Sequence, residues 1–246
     1  ELLLPMKDDT LSWNLNRTYS LKSDIAVVDI IGSNFPDRPI AFTSSCSASA
    51  RLGLGKYLRR KGVIYELGTE AGANAVDVFD PQSNAAFLQR ECRLGAFSES
   101  SKIYNEEAIR LVWSYRVELL KTCKALLAQG DTTGAIQLND YSLVAIPIEK
   151  HPIAELGSEI VGIYLDGESR EKGVNLLKQI LGEKLDQLEV ITQLESKIQS
   201  VVQNELEIIL SQVETLFLQA KTNKLTKDLK EEELRFKELG RVFLGN

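Results

Sequence analysis

Apolar residues follow two rhythms along this chain, and the change between them falls near the middle. Ile25-Ala26-Val27-Val28-Asp29-Ile30-Ile31 is β-branched and stops at Gly32-Ser33-Asn34, which predicts a buried strand. Pro36 and Pro39 bracket a loop, and Ile40-Ala41-Phe42-Thr43 is a second short strand. A cluster of small polar residues, Ser44 to Ser49, follows. Ala50 to Arg60 then carries Leu52, Leu54, Tyr57 and Leu58, the spacing of a helix, which Gly62 stops. Val63 to Leu67 reads as a third strand, and Ala75 to Phe79 as a fourth, ended by Asp80-Pro81. The order strand, loop, helix, strand predicts a βαβ-like unit.

Helical rhythm then takes over. Gln82 to Cys92 is a short helix and Glu106 to Gln129 a longer one. Tyr141 to Ile148 is the last strand-like run, placed to return to the first sheet. From His151 onward no strand signal remains. Ile153 to Leu165 and Glu171 to Leu181 read as helices, and Glu183 to Lys221 as one long helix of about 60 Å at ~1.5 Å per residue. Its apolar seam includes Leu188, Leu194, Ile198, Val202, Ile209, Val213 and Leu216, with an average step near 3.5, the period of a coiled coil or long hairpin. A last helix, Lys227 to Leu239, starts behind Thr226 as N-cap. The predicted class is α+β: a mixed small sheet with a βαβ-like unit, followed by an all-α, coiled-coil-like region. The predicted division is an α/β head over residues 1–150 and a helical region over 151–246.

Composition narrows the function classes. The chain has 246 residues, 43% hydrophobic and 26% charged, enough to bury a core. Its net charge is -6 and its pI near 5.1, which argues against wholesale binding of nucleic acid or anionic membranes. The charge is unevenly placed. Glu183, Asp186, Glu189, Glu195, Glu205, Glu207 and Glu214 crowd the long helix, whereas Lys221, Lys224, Lys227 and Lys230 form a basic row behind it. A final helix folded back would set basic side chains beside acidic ones. A single histidine, His151, argues against Ser-His-Asp and Cys-His catalysis and against multi-His metal sites. Cys46, Cys92 and Cys123 are odd in number and widely spaced, so a disulfide framework is disfavoured and a reducing, cytoplasmic setting expected. No apolar run reaches the ~18 residues of a transmembrane helix, and Glu1 to Pro5 is too short for a signal-peptide core. Without such a signal, Asn16-Arg17-Thr18 matches a glycosylation acceptor only by chance.

One segment has a chemical look. Ser44, Ser45, Cys46, Ser47 and Ser49 would surround the start of the helix at Ala50, where unpaired N–H groups and the helix dipole favour an anion, and Arg51 would add donors. Four residues separate Cys46 from Arg51 where a phosphatase-type loop needs five. Gly53-Leu54-Gly55-Lys56 resembles the end of a phosphate-binding loop, but Ala50 replaces its first Gly and Tyr57 its Ser or Thr. Glu66, Glu70, Asp77 and Asp80 are acids at strand ends, the ordinary content of surface loops. No catalytic residue, metal site or cofactor is assigned. The expected function is a non-enzymatic assembly or scaffold protein whose helical region mediates self-association or docks a protein partner. The alternative is a domain, with or without enzymatic activity, that binds a small anionic ligand such as a phosphate at residues 44–51.

Overall fold

The computed structural model describes residues 2–5, 10–15, 19–72, 79–94, 97–99, 104–153, 156–167 and 169–244. The motif Asn16 to Thr18 and most of the strand expected at Ala75 to Phe79, with Asp77, lie outside them. Two compact units divide the chain, Glu1–Thr122 and Cys123–Asn246.

In the first unit β1 (Leu2–Pro5) and β2 (Thr10–Trp13) pair antiparallel, and helix α1 (Lys22–Asn34) follows. The strand expected at 25–31 is therefore corrected to helix. Asp24 accepts the Leu21 N–H at 2.9 Å and so satisfies an orphan donor of the first turn. Asp24, Val27, Val28 and Ile31 then share one face. Ile31 is fully buried, while Ile25 and Ile30 stay 62% and 54% exposed. The β-branched run is thus an inner face and two flanks, not a two-sided strand.

A three-stranded sheet is built from β3 (Ala41–Thr43), β4 (Leu58–Lys61) and β5 (Ile64–Leu67), in the order β3-β5-β4. Both pairings are antiparallel, which corrects the βαβ-like unit. The helix expected over 50–60 is absent as well. Two 3-10 turns, Ala48–Arg51 and Leu54–Tyr57, are interrupted by Leu52 and Gly53 at φ 53° and 78°. That left-handed pair stops helical propagation, and β4 begins directly afterwards. Gly62 turns the β4–β5 hairpin at φ +59°, where a Cβ would stand 2.7 Å from Phe87 Cε1. Leu11, Trp13, Ile31, Phe42, Leu54, Leu58, Tyr65 and Leu67 form the core. The Tyr57 hydroxyl donates to the Ser12 carbonyl at 2.9 Å and ties β2 to it. Helix α2 (Pro81–Arg90) starts on an Asp80 N-cap, as its Pro81 at the first position favours. Helix α3 (Glu106–Ala128) closes the unit and runs on into the next.

The second unit is helical: α4 (Thr132–Ala145), α5 (Gly157–Asp166), α6 (Arg170–Thr192), α7 (Ser196–Val201), α8 (Gln203–Thr222) and α9 (Lys230–Leu244). The strand expected over Tyr141 to Ile148 is corrected: it is the end of α4, to Ala145, and the link that follows it, and the reason is physical. Asp131 caps Gly134 N–H at 2.9 Å, and Ala135, Leu138, Asn139 and Ser142 are buried at steps of three and four. The segment therefore stays with the helices.

The single 60 Å helix is corrected too. Helix α6 continues unbroken from Arg170 through Gly182, then ends at Thr192, where the Gln199 side chain donates to the carbonyls of Ile191 and Leu194 at 3.3 and 2.9 Å. Helix α8 returns along α6, bringing Asn223 O within 3.3 Å of Arg170 Nη1. Helix α9 turns back again, and Arg235 reaches Asp186 and Glu189 of α6 at 2.7 and 2.5 Å. It starts at Lys230, so Thr226 is not its cap. The packed hairpin replaces the coiled coil: Leu188, Val213 and Leu216 face their own neighbours at 0–3% exposure.

Candidate functional site

Residues 44–51 stand on the β3 edge and the first 3-10 turn rather than at an α-helix N-terminus. The hydroxyls of Ser45, Ser47 and Ser49 are spent on close neighbours. Thr43 Oγ1 lies 2.9 Å from Ser45 Oγ and 3.3 Å from Cys46 Sγ, and Ser47 Oγ lies 2.8 Å from Ser49 Oγ. Ser47 Oγ also accepts the Ala50 N–H at 3.2 Å. Arg51 donates from Nη2 to the Cys46 carbonyl at 2.9 Å and stacks 4.2 Å above the Tyr65 ring. Ser44 contributes its backbone N–H to Val63 O. The loop is a self-bonded turn. A notch of about 340 Å³ beside it is lined by Ala48, Arg51, Gly53, Gly55 and Lys56, which brings two cations near glycine backbone.

The sequence reading missed a buried polar cluster in the first unit. Arg60 of β4 and Glu118 of α3 form an ion pair at 3.4 Å, with each side chain 6% exposed. Asn84 of α2 donates to Glu118 Oε1 at 3.3 Å and to Thr122 Oγ1 at 2.8 Å, and its own carbonyl accepts the Gly62 N–H at 2.6 Å. Arg60 also donates to the Tyr65 hydroxyl at 3.0 Å. Burial pushes the Glu118 carboxyl above its ordinary range, and the charge of Arg60 opposes it. Burial lowers the neighbouring Arg116 guanidinium to about 10. The signal was present: Glu118 and Thr122 sit one turn apart beside buried Leu119, where a polar pair needs partners. A cleft of about 280 Å³ opens here between Arg59, Lys61, Asp80 and Phe87. Its charges are committed. Lys61 pairs with Glu66 at 3.8 Å, Arg59 donates to Glu70 O at 2.8 Å, and Asp80 is bonded by the Ser83 side chain and by the Ser83 N–H that it caps, which lowers its carboxyl. The arrangement locks the hairpin onto α2 and α3.

The remaining expected residues separate. Among the described residues no group of acids, cysteines or histidine could hold a metal ion. His151 is buried in the link between α4 and α5, and the three cysteines are free thiols. Burial raises the Cys123 thiol to about 12 and raises Cys92 as well. Lys221, Lys224, Lys227 and Lys230 are exposed, so the fold-back pairing is made by Arg235 instead. Of the seam, Leu194, Val202 and Ile209 are half-buried and Ile198 is 46% exposed. A larger cleft of about 690 Å³ lies between α5, α6 and α8, and Lys184, buried at 8% exposure, lines it.

Residues 5–75 match the family model described as TMEM260-associated domain 2. The matched stretch is less than a third of the chain, and it holds the residues that form the sheet-and-α1 core of the first unit. No curated protein and no solved structure matches the chain. No helix among the described residues is long and apolar enough to cross a membrane.

Proposed function

We propose that this chain is a non-enzymatic assembly protein that pairs with a second copy of itself through the α7 end of its helical unit. One observation carries the reading. The apolar seam is buried at both ends, at Leu188 and at Val213 and Leu216, yet between them it is only half-covered at Leu194, Val202 and Ile209 and is exposed at Ile198. Ile198 is 46% exposed, and Val190 and Val201 beside the seam are 59% and 78% exposed. Exposed apolar groups gathered at one end mark an interaction surface more often than scattered ones do. Glu189, next to Val190, is already neutralised by Arg235, so two copies meeting here bury no unpaired charge at that position. The free thiols fit a reducing compartment such as the cytoplasm.

Light scattering over a concentration series tests this on the full chain. We expect a species of twice the 27.4 kDa monomer that dissociates on dilution. Val201→Glu, at a side chain that packs on little, should leave only monomer while the helical signal is unchanged. A monomer at every concentration, or a dimer indifferent to Val201→Glu, overturns the reading.

A further inference from the structure

Helix α8 uses one face, with Val213, Leu216 and Ala220, to pack on its neighbours. Its adjoining polar face, Asn204, Glu207, Ser211 and Thr215, lines the cleft of about 690 Å³ across from Lys184 of α6. That volume lies within the range of small-molecule sites.

Two groups on its walls lack good partners. Lys184 is 8% exposed, and among the described residues its ammonium donates only to Gln187 Oε1, at 3.4 Å, the long limit of a hydrogen bond. No salt bridge engages it among the described residues. Glu183 acts on it only through space, and burial still pushes the ammonium below its usual range. A buried cation without a bonded counter-ion is expensive, and an incoming anion would remove that cost. The second group is the Gln212 carbonyl, whose buried oxygen accepts no hydrogen bond from the described residues. It wants a donor. Glu207 is another acceptor on the same wall, held by Gln203 Nε2 at 3.0 Å. Ile208 and Leu216 supply the apolar surface between these polar points.

We infer that this cleft binds a small organic carboxylate that also carries an N–H donor and an apolar body. The carboxylate pairs with Lys184, the N–H bonds the Gln212 carbonyl, and the body lies against Ile208. This site is separate from the α7 surface, and neither depends on the other.

The probe is 8-anilinonaphthalene-1-sulfonate, which combines an anion, an N–H and aromatic rings. Its fluorescence on the full chain should rise to saturation. N-acetyl-leucine should displace it, whereas the uncharged amide of that compound should need at least about tenfold more. Lys184→Met removes a charge-assisted bond and should weaken the probe by about 10–100-fold. Lys178→Met, on the exposed side of α6, should leave its affinity within about twofold. Should Lys184→Met unfold the chain, Ser211→Phe decides, because an exposed side chain is replaced by one that fills the cleft. Absence of saturable binding, equal displacement by acid and amide, or affinity unchanged in Ser211→Phe overturns the inference.

Discussion

Arg60 and Glu118 share a buried ion pair, and its energetics differ from those of the exposed ion pairs among the described residues. Removing either partner takes an opposite charge away from a side chain that is 6% exposed. Arg60→Met or Glu118→Leu should each cost about 3–5 kcal/mol in urea denaturation, and the double variant far less than their sum. Costs that simply add would mean the two groups act independently. Acid has a definite sign here. The folded carboxyl of Glu118 lies above its unfolded value, so its contribution is greatest at low pH and is lost as pH rises through the folded value. Relative to Glu118→Gln, the wild type should therefore gain stability on acidification. The cluster was half legible in the sequence. Glu118 and Thr122 stand on the apolar side of a helix recognised as such, but Arg60 was placed at a helix end. Only the hairpin brings it to α3.

At the scale of elements, the clearest lesson lies in runs of β-branched residues. Ile25 to Ile31 and Tyr141 to Ile148 both look like strands by composition, yet the first is helix throughout and the second is helix as far as Ala145. In each case a short acidic residue at the start decides. Asp24 takes the Leu21 N–H, and Asp131 takes the Gly134 N–H. The burial period that follows is three to four, not two. Helices α2 and α3 were legible because their periodicity and caps agree. The break at Thr192 was not, since neither Gly nor Pro marks it and the Gln199 side chain satisfies the helix end from eight residues away. The β4–β5 hairpin rests on one residue of special geometry. Gly62→Ala must hold φ near +59° and push its Cβ into the Phe87 ring. It should lower stability by about 1–3 kcal/mol, read as a reduced denaturation midpoint. Phe87→Ala combined with it would relieve the clash and not the backbone strain. A Gly62→Ala chain as stable as the wild type would show that the turn has room to adjust.

Across the whole molecule, the uneven charge noted in the sequence becomes a question of what holds the helical unit together. Arg235 bridges Asp186 and Glu189, Arg170 reaches Asp228, Lys172 reaches Asp140, and Lys124 pairs with Glu159. All of these side chains are a third or more exposed, so each pair contributes about 0–1 kcal/mol and is screened by salt. The Arg235 pairs select the register in which α9 lies on α6. Cohesion comes from Leu177, Leu181, Leu185 and Leu188 of α6 against Val213, Leu216, Leu225 and Leu229, all at 3% exposure or less. Each buried side chain of this kind is worth about 1.5–3 kcal/mol relative to leaving it in water. Raising NaCl from ~20 mM to ~0.5 M should thus lower the melting temperature of the helical signal by less than about 4 °C. Leu216→Ala, which leaves a cavity between α6 and α8, should cost about 2–5 kcal/mol and lower it by more than the salt does. If salt proved the stronger perturbant, the ion pairs would be holding α9 in place as well as setting its register, and the apolar packing of α8 on α6 would be secondary.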